Sequence, residues 1–139
     1  MDGLVVLVSG ASKGIGRSIA LRATAEGASV MINYMSDVKG ANSLVAQIGA
    51  DRALAVQADV SKTEEVDCLV EAAVSRFGKI DVLVPNAAFS PTSEIETITE
   101  EQFDLTFGVN VKGPCFLTQV CFQQSTGIHT FISAGYYFT

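Results

Sequence analysis

The sequence predicts an α/β fold in which a doubly wound parallel sheet lies between two layers of helices. Short apolar runs that suit strands alternate along the chain with segments whose apolar residues have helical spacing. One of these runs, Val82-Leu83-Val84, is apolar at every position, which is typical of a strand buried on both faces of a parallel sheet. Strands and helices that alternate are joined by right-handed crossovers. We therefore expect three layers in the order αβα and a sheet truncated after about four or five strands.

Four strands and four helices follow from these patterns. The strand candidates are residues 4–8, 28–33, 53–57 and 80–84. The helix candidates are residues 15–26, 38–48, 62–77 and 100–122, and Pro114 is expected to kink the last of them. Capping boxes at Ser61-Lys-Thr-Glu64 and Thr99-Glu-Glu-Gln102 predict where the third and fourth helices begin. Gly27 and Gly78 follow the first and third helices and are expected to end them.

Size and composition indicate one folded domain that binds neither nucleic acid nor a membrane. The 139 residues are 48% hydrophobic, with 12 glycines and 3 prolines, so the chain can bury a core and is too apolar for disorder. The net charge is −6 and Lys and Arg form no cluster, which makes anionic partners unfavourable. Residues 113–139 carry no charge, but interspersed Gln, Ser, Thr and His residues leave no apolar stretch long enough to span a bilayer.

The cysteines and the first residues predict a reducing compartment. The three cysteines have no paired spacing and there is a single histidine, so we expect reduced thiols and no metal site. No basic segment precedes the first apolar run, so we expect no signal peptide and a cytoplasmic protein.

The first strand leads into a glycine-rich turn and then into a helix. Gly10, Gly14 and Gly16 keep bulky side chains out of this turn, and the helix presents unpaired N–H groups and the positive end of its dipole to it. A pyrophosphate can therefore lie against the backbone, which predicts a dinucleotide site. The alternative is a tight strand-to-helix turn without a ligand.

Residues after two further strands favour the dinucleotide hypothesis. Asp59 and Val60 follow the third strand, and Asn86-Ala87-Ala88 follows the fourth. Ligands of open α/β sheets bind at the carboxyl ends of strands, so we expect these residues and the glycine turn to line one cleft. Asn110 lies on the last predicted helix. For Asp59 the alternative role is to cap a helix.

Together these motifs resemble the short-chain dehydrogenase/reductase family over about residues 3–119. The family pattern Thr-Gly-x-x-x-Gly-x-Gly is matched from Ser9 to Gly16, with Ser in place of Thr. Asn86-Ala87-Ala88 matches its Asn-Ala-Gly, although Ala88 adds a methyl group where the coenzyme passes close. Asp59 matches its adenine-contacting Asp, and Asn110 matches the Asn within Val-Asn-Val-Lys-Gly. The resemblance implies a Rossmann-like fold and hydride exchange between a nicotinamide coenzyme and a small carbonyl or alcohol substrate.

The resemblance also implies which residues bind the coenzyme. The first glycine of the turn permits its sharp bend, the second lets the backbone approach the phosphates, and the third lets the helix pack closely. The Ser12 hydroxyl and the Ile15 N–H face the ligand, and Asp59 accepts a hydrogen bond from the adenine amino group. The full expected set is Gly10, Ser12, Lys13, Gly14, Ile15, Gly16, Asn33, Tyr34, Ser36, Asp59, Val60, Asn86, Ala87 and Ala88.

The end of the second strand predicts NADP(H) as the coenzyme, with NAD(H) as the alternative. An NAD site usually has a carboxylate here that binds the ribose 2′-hydroxyl, but this chain has Tyr34, followed by Met35 and Ser36. Lys13 stands where the family's NADP-preferring members carry a basic residue, and its charge attracts a 2′-phosphate. Asp37 argues for NAD(H), but we expect it to cap the helix that starts near residue 38.

Catalysis in this family uses a Tyr, a Lys four residues later, a Ser and the helix Asn, and only Asn110 is matched. Tyr34 belongs to the expected coenzyme site, while Tyr136 and Tyr137 come after the last lysine, Lys112. A tyrosine that acts as a general acid at neutral pH needs a pKa well below its reference value of about 10. In the family the lysine lowers this pKa, and that lysine is missing here. We therefore expect an oxidoreductase in a form that lacks the Tyr-x-x-x-Lys pair. The alternative is a catalytically inactive dinucleotide-binding fragment.

The composition changes near residue 120, which predicts a dinucleotide-binding portion at 1–119 and a divergent tail at 120–139. The tail has no charged residue and holds five of the eleven aromatic residues. The codons of Val120-Cys121 can read as an intron donor, so a mis-spliced product is one explanation and a fragment or a naturally short protein is the other. We expect a substitute strand near 128–133. If the chain folds we expect a homo-oligomer, because the apolar face of helix 100–122 would otherwise lose part of its covering or its partner subunit.

Overall fold

The computed structural model describes residues 1–124 and 130–131. Its strands are β1 (Val5–Val8), β2 (Ser29–Tyr34), β3 (Ala53–Gln57), β4 (Val82–Val84) and β5 (Thr130–Phe131). Its helices are α1 (Gly14–Ala25), α2 (Val38–Ile48), α3 (Thr63–Phe77), α4 (Glu100–Phe107) and α5 (Gly113–Gln124). The five strands form one parallel sheet in the order β3-β2-β1-β4-β5, so the chain builds outward from β1 and then returns to its other side. The predicted doubly wound sheet is confirmed.

The two faces of the sheet pack against different helices. One face packs against α1 and α2, and its buried strand residues include Val6, Val8, Val30 and Ile32. The other face packs against α3 and α5, and its buried strand residues include Leu7, Met31 and Leu83. Because every residue of β1 is buried, the central strand has no polar side, as a strand covered by helices on both faces requires. The predicted αβα layering is therefore confirmed.

The helix expected at residues 100–122 consists of three segments. α4 ends at Phe107, a π-helical turn covers Gly108–Lys112, and α5 begins at Gly113. The irregular turn thus lies before Pro114 rather than at it. α4, the turn and α5 follow one another without a break, so Pro114 lacks an N–H that a continuous helix would use, and the irregular turn lies just before it.

One of the two expected capping boxes is present. The Thr99 hydroxyl accepts from the Gln102 N–H at 3.3 Å, and the Gln102 side chain accepts from the Thr99 N–H at 3.2 Å. The box expected at Ser61 is wrong, because α3 begins after Lys62 and no described side chain caps it. Gly78 ends α3 as predicted, in the left-handed conformation with φ 82°.

The fifth strand lies beside β4 and pairs with it in parallel, with Thr130 opposite Val82. It falls within the substitute strand expected at 128–133. The other tail residues considered above, Tyr136 and Tyr137, lie outside the described residues. α5 continues past residue 119 and buries Val120 and Cys121, while the expected domain boundary stays a prediction. No helix of the described residues is long and apolar enough to cross a bilayer.

Candidate functional site

The glycine turn, the ends of β2 and β3 and the segment after β4 meet where the strand order reverses, at the carboxyl edge between β1 and β4. Ser9, only 2% exposed, connects two of these segments through its hydroxyl. It accepts hydrogen bonds from the backbone N–H groups of Asn86 at 2.9 Å and Ala87 at 3.0 Å. The Ser9 N–H in turn donates to the Val84 carbonyl at 3.0 Å. The segment after β4 is thereby fixed against the start of the turn.

Asn33 connects the glycine turn to the end of β3. Its buried Nδ2 donates to the Ala58 carbonyl at 2.9 Å, and its Oδ1 accepts from the Gly10 N–H at 3.2 Å. Its backbone carbonyl accepts from the Ala11 N–H at 2.8 Å. The carboxamide therefore shapes the site through the backbone of its neighbours, which is a role the sequence did not reveal.

Asn86 holds the glycine turn from the opposite side. Its Nδ2 donates to the carbonyls of Ser9 at 2.9 Å and Gly10 at 3.1 Å. A Cβ on Gly16 would lie 2.5 Å from this Nδ2 and 2.6 Å from the Gly10 carbonyl oxygen. The first turn of α1 thus packs so closely on the glycine turn that position 16 has no room for a side chain.

The N-terminus of α1 is not capped by any described side chain. Its N-cap residue, Lys13, is extended with φ −150°, and the first turn has no acidic residue. By contrast, Asp37 caps α2 through a 3.0 Å hydrogen bond from the Gly40 N–H, as predicted. Gly14 has φ 58°, a conformation that residues with a side chain rarely adopt. Unpaired N–H groups beside glycines that carry no side chain suit a phosphate group, so the residues present here fit a dinucleotide.

A cleft of about 430 Å³ opens beside this helix terminus. The structure brings together around it twelve of the expected residues: Gly10, Ser12, Lys13, Ile15, Asn33, Tyr34, Ser36, Asp59, Val60, Asn86, Ala87 and Ala88. Gly14 and Gly16 do not line it and shape the turn behind it. Six further lining residues were not in the expected coenzyme-binding set, namely Met35, Asp37, Ala58, Phe89, Leu105 and Val109, although the sequence places Phe89 directly after the fourth strand, where a cleft wall is expected. The spacing of Leu105 and Val109 is helical, but nothing in the sequence directs that face to the cleft.

Three charged side chains line the cleft, namely Lys13, Asp37 and Asp59. Arg17, the next cation along α1, points to α2 instead. Its guanidinium donates to the Gly40 carbonyl and to the Gln47 side chain, both at 3.0 Å. Among the described residues, Lys13 is thus the one cation that lines the cleft.

Asp59 organises the loop that leads from β3 to α3. Its Oδ1 accepts from the N–H of Ser61 at 3.0 Å and from its hydroxyl at 2.7 Å, which is why Ser61 does not cap α3. The Asp59 N–H donates to Glu65 at 2.7 Å, and this bond, followed by the bond from Lys62, lowers the pKa of the Glu65 carboxyl. Oδ2 of Asp59 lies 3.8 Å from the Lys62 ammonium. Asp59 therefore forms a turn through one carboxylate oxygen and has the other near Lys62, and the residue as a whole lines the cleft.

Asn110, the expected catalytic residue, lies in the π-helical turn and faces the segment after β4. Its Oδ1 accepts from the Phe89 N–H and its Nδ2 donates to the Phe89 carbonyl, both at 2.8 Å. Both polar ends of the side chain are thus bound to the backbone of Phe89. A second, smaller cleft of about 220 Å³ also has Phe89 in its wall. Its other lining residues include Phe103, Phe107 and Asn110.

Tyr34 is the tyrosine that the described residues contain, and it is half-buried at the end of β2 in the cleft. Lysine is absent from the four residues that follow it. The described chain therefore contains no counterpart of a Tyr-x-x-x-Lys pair.

Residues 4–129 match the family model described as short chain dehydrogenase. An uncharacterized oxidoreductase of Methylorubrum extorquens is 46% identical over 121 residues, which are 86% of this chain and 49% of that protein. The chain spans about half the length of the curated relatives it matches.

Two solved structures have the same fold over most of this chain. A short chain dehydrogenase from Burkholderia cenocepacia in complex with NADP is similar at a TM-score of 0.90 and 34% identity, covering 95% of this chain and 55% of that one. A 3-ketoacyl-(acyl-carrier-protein) reductase from Brucella melitensis complexed with NADH is similar at a TM-score of 0.83 and 42% identity, covering 88% and 50%. The two neighbours hold different nicotinamide dinucleotides, so likeness to them does not distinguish NADP from NAD.

Proposed function

The chain belongs to the short-chain dehydrogenase family, and from this premise we propose that it is the coenzyme-binding part of an NADP(H)-dependent oxidoreductase acting on a small carbonyl or alcohol compound. The coenzyme, when bound, supplies or accepts a hydride. One observation carries the proposal: the uncapped N-terminus of α1 opens into a cleft that Lys13 lines and that has a tyrosine, not a carboxylate, at the end of β2.

The glycine turn would hold the diphosphate. The Ile15 N–H at the start of α1 and the Ser12 hydroxyl are donors beside the cleft. A Cβ on Gly10 would lie 2.8 Å from the Ala87 Cα, so the turn packs directly against the segment after β4 and position 10 has no room for a side chain. This close contact keeps the donors in a fixed position, which lowers the entropy cost of binding.

The ends of β2 and β3 would hold the adenosine half. The Asp59 carboxylate would accept from the adenine amino group through Oδ2, the oxygen that Ser61 does not use and that lies 3.8 Å from Lys62, and Val60 lies beside it in the same cleft wall. Lys13 and the exposed Ser36 would hold a 2′-phosphate. NAD(H) is the alternative coenzyme, and the presence of Asp37 in the same wall favours it.

We assign Asn110 a positioning role in the reaction. Its two hydrogen bonds fix Phe89, which lies between the larger cleft and the smaller aromatic one. Since the 139 residues contain no Tyr-x-x-x-Lys, the chain by itself is expected to bind coenzyme without reducing a carbonyl compound. The alternative function is therefore dinucleotide binding without catalysis.

The exposed side of α4 and of the π-helical turn would form an interface with a second copy. Phe103 and Phe107 stack with ring centroids 4.4 Å apart and are 52% and 50% exposed, and Val111 is 42% exposed. Apolar surface of this extent favours association. Sedimentation of the wild type and of Phe107→Ser tests this, because loss of the apolar ring should shift the protein toward the monomer.

All three cysteines lie in the described part of the chain and are free, which fits a cytoplasmic location.

The coenzyme proposal is tested by fluorescence titration of NADPH and NADH into the wild type and Lys13→Ala. We expect the wild type to bind NADPH more tightly, and Lys13→Ala to weaken NADPH binding roughly tenfold while leaving NADH within about twofold, because only NADPH carries the 2′-phosphate. Unchanged NADPH affinity in Lys13→Ala would contradict the assignment of Lys13. Steady oxidation of NADPH in the presence of simple ketones or quinones would contradict the expectation that this chain alone is inactive.

A further inference from the structure

We infer that Glu65 is a positioning residue for the base of the coenzyme, which holds the Lys62 ammonium away from the Asp59 carboxylate so that Asp59 can distinguish adenine from a base without its amino group. The inference rests on the proposed coenzyme function, in which Asp59 accepts a hydrogen bond from that amino group. Glu65 is not one of the residues that line the coenzyme cleft, so its effect passes through Asp59 and Lys62.

The three side chains share a polar hollow beside the coenzyme cleft. This hollow, of about 410 Å³, is lined by Met35, Gln57, Asp59, Lys62 and Glu65. Met35 and Asp59 also line the coenzyme cleft, so the hollow and the cleft are neighbours with a common wall. A charge that moves within the hollow therefore acts directly on Asp59.

Glu65 uses its two carboxylate oxygens for two different partners. Oε2 accepts from the Asp59 N–H at 2.7 Å, and Oε1 accepts from the Lys62 ammonium at 3.0 Å. Because the bond from Asp59 and then the bond from Lys62 lower the pKa of the Glu65 carboxyl, this group is charged at neutral pH. Glu65 thus fixes the backbone of Asp59 and holds the nearest cation at the same time.

The Lys62 ammonium lies closer to Glu65 than to Asp59. It is 3.0 Å from Oε1 of Glu65 and 3.8 Å from Oδ2 of Asp59, and the second distance is too long for a hydrogen bond. Oδ1 of Asp59 already accepts from the N–H and the hydroxyl of Ser61, so Oδ2 is the oxygen that a base would use. Without the charge on Glu65, the ammonium could move onto Oδ2 and compete with the amino group of adenine.

Adenine and hypoxanthine differ at the group that this carboxylate would bind. Adenine has an amino group at C6, which donates a hydrogen bond, whereas hypoxanthine has a carbonyl oxygen there, which only accepts. A carboxylate attracts the amino group and repels the carbonyl oxygen, and an ammonium in the same place does the reverse. The position of Lys62, which Glu65 sets, therefore determines how strongly the cleft selects adenine.

Glu65→Gln tests the inference because Gln keeps an oxygen for the Asp59 N–H and removes the charge that holds Lys62. Calorimetric titration would compare NADP⁺ with nicotinamide hypoxanthine dinucleotide phosphate, which differs from it only in the base. We expect the wild type to prefer NADP⁺ and Glu65→Gln to lower that preference roughly three- to tenfold. The melting temperature should change little, because the Lys62 and Glu65 side chains are 59% and 40% exposed and such pairs add little stability.

Removal of Lys62 separates this positioning role from a purely structural one. In the double variant of Glu65→Gln and Lys62→Gln no ammonium is left to compete, so the preference for NADP⁺ should return to within about twofold of the wild type. Lys62→Gln alone should keep or raise the preference. Glu71→Gln is the matched control, since Glu71 is exposed on the same helix, and it should leave the preference unchanged.

An unchanged preference in Glu65→Gln would overturn the inference, and so would a fall in Lys62→Gln. A loss in Glu65→Gln that Lys62→Gln does not restore would overturn it too, because it would reveal a distorted loop. A wild type that binds both dinucleotides equally well would leave Asp59 without a role in base recognition and would also overturn it. A wild type that binds neither dinucleotide would instead reject the proposed function, and the inference with it.

Discussion

The carboxamide of Asn110 and the backbone of Phe89 form a closed pair of hydrogen bonds, each 2.8 Å long, across 21 residues of chain. The pair connects the π-helical turn to the segment after β4. Phe89 lines both the coenzyme cleft and the smaller aromatic cleft. One side chain therefore fixes the wall that the two clefts share.

Asn110→Ala should lower the free energy of unfolding by about 1–3 kcal/mol, because the N–H and carbonyl of Phe89 both lose their partner. Urea denaturation measures the change. Asn42→Ala is the control, since Asn42 is exposed on α2 and its loss should have little effect. Equal stability of the two variants would show that the Asn110–Phe89 pair does not stabilise this segment.

Gly16→Ala should destabilise the protein and weaken coenzyme binding. Within a helix, alanine is favoured over glycine by about 1 kcal/mol, so propensity alone predicts a more stable variant. The new Cβ would, however, lie 2.5 Å from the Asn86 Nδ2 and 2.6 Å from the Gly10 carbonyl oxygen. Overpacking of this kind costs about 1–3 kcal/mol and displaces the turn. Thermal unfolding together with NADPH titration measures both effects, and a rise in melting temperature would contradict the close packing.

The three cysteines should differ in reactivity and in their effect on the pH dependence of stability. Cys68 and Cys115 are exposed, whereas Cys121 is buried and burial raises the pKa of its thiol to about 12. Ellman's reagent should therefore titrate two thiols in the native protein and the third only after unfolding. Above about pH 9 the unfolded thiol ionises and the folded one does not, so stability should fall as the pH rises from there.

Cys121→Ala should lack that fall with pH, although the variant is less stable at neutral pH because it leaves a cavity. Urea unfolding at pH 8 and pH 10 measures the slope for both proteins. Rapid reaction of all three thiols in the native protein would contradict the burial of Cys121.

The sequence predicts the regular part of the fold well because local signals there agree with the tertiary structure. The bounds of α2 (38–48) and β3 (53–57) are those expected, since residues that favour turns and helix ends lie on both sides of these elements. Ser61 misled the prediction because Asp59, two residues earlier, accepts both of its donors. A capping box is recognised by spacing alone, and spacing does not reveal a competing carboxylate.

The π-helical turn at Gly108–Lys112 was not predictable from periodicity. The side chain of Asn110 within this turn is hydrogen-bonded to the backbone of Phe89. That contact joins segments far apart in the sequence, so local patterns do not reveal it. The same holds for Leu105 and Val109, which enter the cleft wall only because the helix is positioned over it. The glycine turn, by contrast, was predictable from local sequence. The sharp bend and close packing that it needs depend on its own residues Gly10, Gly14 and Gly16.

Backbone amide NMR during a titration with NADP⁺ tests the central claim most directly, because the claim places phosphate at the N-terminus of α1. We predict that the amide signals of Ile15 and Gly16 shift most, together with those of Lys13 and the β2 end at Tyr34 and Ser36. If the amide signals of the glycine turn do not shift at millimolar NADP⁺, the account is contradicted. This holds whether signals elsewhere in the protein shift or no signal shifts at all.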